Sequence, residues 1–137
     1  MVGITMIKPI LTFLILLLSN EGMALWEDWE QKDKTLWKSY VALNVVDTLQ
    51  TFDLINKQND QTYEHSGHLR ETNPLLGSNP RKGEVVILKL VSNAIAYKIL
   101  DNNPQARTVT LSIMNGIYIK TVTNNHEIGL RLTYQFK

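Results

Sequence analysis

The chain has 137 residues, with 14 Lys and Arg against 13 Asp and Glu and a net charge of +1. A length of this order fits one domain, and so balanced a charge excludes a nucleic-acid binder that works by charge alone. The sequence contains no Cys, which excludes thiol catalysis, disulfides and cysteine metal sites.

The first 24 residues read as a secretory signal peptide. Lys8 precedes an apolar run from Pro9 to Leu18, a polar stretch Ser19–Glu21 follows, and Gly22-Met23-Ala24 puts small residues at the −3 and −1 positions of a cut after Ala24. The run is about ten residues long, against the roughly 20 that span a bilayer as a helix. No Cys follows it, which excludes a lipoprotein. An uncleaved N-terminal anchor is the alternative. With cleavage, residues 25–137 form a single mature domain of the cell envelope.

The mature chain opens on "LWEDWEQKDKTLWKSY", which carries all three Trp (Trp26, Trp29, Trp37) and Tyr40 among charges of both signs. Such a mixture suits a membrane–water interface; it suits equally a helix start whose rings pack on a core. From Thr35 to about Lys57 the spacing predicts a helix. Trp37, Val41, Val45, Phe52 and Ile55 make one stripe. Tyr40, Asn44, Asp47, Thr51 and Leu54 make a second, with three polar residues at its centre. "NKQNDQTYEHSG" (56–67) is polar and aperiodic and reads as a loop.

The next segment is rich in helix punctuation. Asn73-Pro74 fits an N-cap followed by the first helical position, and "PLLG" is then a single turn closed by Gly77. Asn79-Pro80 repeats the signal, predicting a helix from Pro80 to about Leu100, stopped by "DNNP" (101–104). On the helical wheel Lys89, Ser92, Asn93 and Ala96 form a narrow stripe, while Val86, Ile87, Leu88, Leu90, Val91, Ala94, Ile95 and Ile99 cover most of the rest. A helix apolar nearly all round is buried or in lipid, and its polar stripe then faces a protein interior. Lys89 and Asn93 are therefore expected to meet Asn44, Asp47 and Thr51, with Asp47 as the partner that a buried Lys requires. Snorkelling of Lys89 to water is the alternative.

The last third is rich in Thr, Val, Ile and Tyr. Strict alternation from Ile128 to Phe136 predicts a half-buried strand. Residues 108–122 read either as its hairpin partner, with Asn115-Gly116 as a tight turn, or as a third helix with Ser112 and Asn115 on its polar face. β-branched content favours the strand. Two or three strands are too few for an outer-membrane barrel. The fold expected is thus mainly α (α+β): a helical hairpin or small bundle with a C-terminal β-hairpin.

The reactive-looking side chains are Asp47, Glu64, His65, His68, Arg70 and Glu71. His65 and His68 with flanking carboxylates resemble a zinc set only loosely, so no metal and no cofactor is assigned. If the protein is an enzyme, Asp47, His68 and Glu71 are the candidates for acid–base work, although Asp47 is equally explained by an ion pair and Glu71 by the helix start at Asn73. The binding residues expected are Asn44, Asp47, Thr51, Glu71, Asn73, Lys89 and Asn93.

A helix carrying D-x-x-x-T ("DTLQT", 47–51), a loop, E-x-N-P-x-x-G ("ETNPLLG", 71–77) and an apolar helix bearing a Lys resembles a group of small uncharacterised membrane-associated proteins of bacteria and their phages. Several of these end in a segment similar to "NHEIGLRLTYQF". The resemblance spans roughly residues 39–136 and implies an envelope location without implying an activity. The chain departs from the group in its longer loop (56–67) and in less hydrophobic helices, which weighs against full membrane insertion. The function expected is that of an exported envelope or membrane-associated accessory protein, phage- or bacterium-encoded, whose partner is a membrane lipid or an envelope protein. A small membrane enzyme acting on a lipid or glycan, and a soluble periplasmic homodimer, are the alternatives.

Overall fold

A computed structural model of the chain describes residues 27–60, 75–77 and 80–132. Three helices account for most of them: α1, Gln31–Asn59; α2, Lys82–Asp101; and α3, Pro104–Glu127. The signal-peptide segment, Trp26, the loop carrying Glu64, His65, His68 and Arg70, and the Glu71–Pro74 start signal lie outside the described residues.

α1 is roughly 43 Å long at 1.5 Å per residue and is the spine of the bundle. Cross-links set the directions of the other two helices. Lys82 bonds Asn56, Lys89 bonds Asp47, and Trp29 bonds Asp101, so α2 runs antiparallel to α1. Thr108 bonds Asp33, Asn115 reaches Leu36, and Asn125 bonds Asp47, so α3 runs parallel to it.

The helix boundaries have local causes. α2 begins at Lys82, two residues beyond the Asn79-Pro80 start expected, because Glu84 reaches back to accept from the backbone N–H of Arg81 at 2.9 Å, the reciprocal half of a capping box. α2 ends within "DNNP", and Pro104 opens α3 at a position where the missing N–H costs nothing. Gly77 has φ +70°, a left-handed conformation that disfavours any other residue, and it closes the short turn at Leu75–Leu76.

The C-terminal third corrects the expectation of a β-hairpin. No described residue belongs to a strand. Residues 108–122 are the body of α3, and Asn115-Gly116 lies mid-helix, not in a tight turn. Arg107, Leu111 and Asn115 are buried at a spacing of four, and that helical period outweighs the β-branched composition. Ser112 and Asn115 do not share a polar face: Ser112 is exposed and Asn115 is buried. The alternation from Ile128 does not extend into a strand either. Gly129 takes φ +85° and donates to the carbonyl of His126, while Leu130 donates to that of Asn125, both at 2.9 Å. This is a Schellman stop. Leu130 then tucks inward at 2% exposure. The residues of the expected strand beyond Leu132 lie outside the described ones.

The core has two apolar ends. Trp29, Trp37, Tyr40, Val41, Leu100 and Leu111 fill one, where the start of α1 meets the α2–α3 connection. Phe52, Ile55, Val85 and Val86 fill the other, where the end of α1 meets the start of α2. Between them the interior is polar.

Candidate functional site

The polar seam is built from i, i+3 and i+4 positions of all three helices. On α1, Asn44, Asp47, Gln50 and Thr51 are buried. On α2, Asn93 is buried and Lys89 nearly so. On α3, Tyr118 and Asn125 close the third side.

Asp47 is the hub. Its Oδ2 accepts from Lys89 Nζ at 2.6 Å, and its Oδ1 accepts from Asn125 Nδ2 at 3.1 Å. Lys89 also donates to the Tyr118 hydroxyl at 3.2 Å, and its ammonium lies 5.0 Å from that ring's centroid. Asn125 in turn bonds Gln50 Oε1 at 3.1 Å, and Gln50 Nε2 donates to the carbonyl of Val122. Carboxylate, ammonium, phenol and two amides thus connect three helices, as a buried charge pair requires if it is not to cost more than it returns. Burial lowers the pKa of Lys89, but the Asp47 carboxylate and then Tyr118 outweigh it, so the ammonium is held above the ordinary lysine value. Burial, reinforced by Tyr118, pushes the Tyr40 hydroxyl up to about 12.

Of the binding residues expected from the sequence, Asn44, Asp47, Lys89 and Asn93 converge on this seam. Thr51 is buried beside them, but its hydroxyl donates to the carbonyl of Asp47 in its own helix. Glu71, Asn73 and His68 lie outside the described residues. Asp47 has both carboxylate oxygens engaged, an arrangement suited to holding helices together. Among the described residues no group of three His, Cys, Asp or Glu side chains is placed to hold a metal. Sequence reasoning missed Tyr118, Gln50 and Asn125. The signal for two of them was the helical series Arg107, Leu111, Asn115, Tyr118, Val122, Asn125, masked by the strand reading of the same segment.

Four buried polar atoms have no hydrogen-bond partner among the described residues: Trp37 Nε1 and the side-chain carbonyl oxygens of Asn44, Asn93 and Asn115. Each costs roughly 1–3 kcal/mol if left so. Two of them, on Asn44 and Asn93, sit one helical turn from the Asp47–Lys89 pair.

A second polar cluster lies at the α2–α3 connection. Arg107 donates from Nε to the carbonyl of Leu100 at 3.0 Å and from Nη2 to that of Asp101 at 3.1 Å, covering carbonyls at the C-terminal end of α2. Its guanidinium lies 4.4 Å from the Trp29 ring centroid. Trp29 stacks on Tyr97 and donates from Nε1 to Asp101 at 3.0 Å. Asp33, also buried, accepts from the Thr108 hydroxyl. Trp29, Trp37 and Tyr40 of the aromatic stretch are therefore part of a packed core end.

The outer sides of α2 and α3 each carry an aliphatic row. Ile87, Val91, Ile95 and Ile99 follow one another at a spacing of four along α2, and Val109, Ile113 and Ile117 do so along α3; each is half or more exposed. α2, expected to be buried or in lipid, turns Asn93 inward and this aliphatic row outward. No described helix is long and apolar enough to cross a membrane. Comparison of the chain with known protein families, with curated proteins and with solved structures finds no match.

Proposed function

We propose that this is an exported accessory protein of the bacterial cell envelope that binds the surface of a membrane through the aliphatic face of α2 and α3. The observation that carries the reading is the inverted polarity of those helices: Lys89, Asn93, Arg107 and Asn115 point inward, and seven Val and Ile side chains point out. Soluble monomers seldom leave large aliphatic side chains exposed in unbroken rows along two helices. Burying one such side chain is worth roughly 1.5–3 kcal/mol, so seven half-exposed ones offer several kcal/mol to a lipid surface. The rows are short: Ile87 to Ile99 spans roughly 18 Å at 1.5 Å per residue, which suits bedding into one leaflet without crossing the bilayer. The signal-peptide pattern of residues 1–24 and the resemblance to membrane-associated proteins of bacteria and phages support the same location.

Fractionation of C-terminally tagged protein in a bacterial host tests the location. The mature chain is expected with the envelope membranes, released by detergent, and beginning at Leu25. Recovery in the cytosol with Met1 retained would contradict it. Detergent-free extraction as a dimer would instead assign the aliphatic face to a second copy.

A further inference from the structure

We infer that the polar seam holds a single bound water molecule between α1 and α2, bridging the side-chain carbonyls of Asn44 and Asn93. The geometry follows from the Asp47–Lys89 pair, which fixes the antiparallel register of the two helices at 2.6 Å. Asn44 lies three residues before Asp47 on α1, and Asn93 lies four residues after Lys89 on α2. In an antiparallel pair these steps lead the same way along the seam, so the two amides come level, one turn from the ion pair. Both side chains are inside, at 3% and 7% exposure. Each Oδ1 is without a donor among the described residues. The Asn44 Nδ2 donates to the carbonyl of Tyr40 at 3.4 Å, so its oxygen is the atom of the amide left without a partner among the described residues.

Two buried acceptors level with one another along the seam call for a guest with two donors, and water is the smallest such guest. A buried site that is polar and offers at least two partners is the kind in which ordered water is found. A metal cation fits poorly. The oxygens are uncharged amides, fewer than the six or more that a hard cation takes, and the Lys89 ammonium one turn away repels positive charge. The bridge would be a second tie between α1 and α2, uncharged where the first is ionic. It does not depend on what covers the outer face, so its failure leaves the membrane reading untouched.

Water-to-protein magnetisation transfer on protein with 15N-labelled Asn side chains tests it. A cross-peak from a long-lived water to the Asn44 side-chain amide is expected in the mature chain. It should be lost in Asn93→Leu and kept in Asn93→Asp, which retains an acceptor. Its absence from the folded wild-type chain would overturn the proposal whether or not Asn93→Leu folds. So would its survival in a folded Asn93→Leu chain, a direct Asn44–Asn93 amide contact in place of the water contact, or a signal that appears only when sodium replaces choline in the buffer.

Discussion

Lys89 of α2 and Asp47 of α1, 42 residues apart in the chain, are joined at 2.6 Å with their side chains only 14% and 11% exposed. The pair sits between two apolar core ends, and Tyr118 and Asn125 bring α3 onto it. Removing one partner leaves the other charged and buried. Lys89→Met is therefore expected to cost about 3–5 kcal/mol, whereas the double variant Lys89→Met, Asp47→Leu should regain at least half of that. Urea denaturation of the two variants measures both values. A double variant no more stable than Lys89→Met would show that the pair is not the unit that matters.

Alkaline pH should loosen the same seam. Unfolded Tyr and Lys release their protons near about pH 10 and 10.4. Folded Tyr40 holds its proton to about 12, chiefly through burial, and Lys89 holds its own above the ordinary value. The folded chain thus keeps protons that the unfolded chain gives up, so this contribution is whole below about pH 10 and is lost as pH rises toward about 12. Thermal melts across that range should show a falling Tm, and Tyr40→Phe should make the fall shallower.

Arg107 ties the start of α3 to the end of α2 and covers Trp29. Arg107→Met is expected to destabilise by roughly 2–4 kcal/mol, since it leaves the Leu100 and Asp101 carbonyls without their donor and Asp33, 4.0 Å from the guanidinium, without its countercharge. Arg107→Lys should recover only part of this, because an ammonium cannot lie flat on the indole. Denaturation followed by Trp fluorescence reads stability and the Trp29 environment together.

Two glycines distinguish a helical C-terminal third from a hairpin. Neither has an atom within 4 Å of where a Cβ would stand, so backbone conformation decides. Gly129, at φ +85°, ends α3; Gly129→Ala should cost roughly 1–2 kcal/mol. Gly116 lies inside α3, and Gly116→Ala should stabilise by roughly 0.5–1 kcal/mol. A destabilising Gly116→Ala would favour a turn at Asn115-Gly116.

The first two helices were legible in the sequence for different reasons: α1 carries an apolar stripe at helical spacing, and α2 is an aliphatic run bounded by Asn79-Pro80 and Pro104. The Asp47–Lys89 contact was legible for a different reason: a Lys inside an aliphatic helix needs a carboxylate, and one polar stripe on α1 supplied it. α3 was not legible. Thr, Val and Ile dominate it, and its inward positions, Arg107, Asn115, Tyr118 and Asn125, are polar, so the usual hydrophobic stripe is missing. The alternation from Ile128 suggested a strand where Gly129 stops a helix. The aromatic start was ambiguous because rings beside charges look alike at a membrane surface and at a core edge; for Trp29, stacked on Tyr97 with Arg107 over its ring, the core edge is the outcome. Glu71, His68 and Asn73 lie outside the described residues, and the geometry adds nothing to their sequence reading.

Vesicle flotation of residues 25–137 tests the membrane account most directly. The wild-type chain should float with phospholipid vesicles. The double variant Ile95→Glu, Ile113→Glu, which places a charge in each aliphatic row without touching the buried seam, should stay at the bottom of the gradient while keeping its helical circular-dichroism signal. A wild-type chain that does not float, or a folded double variant that floats as well as wild type, would contradict the account.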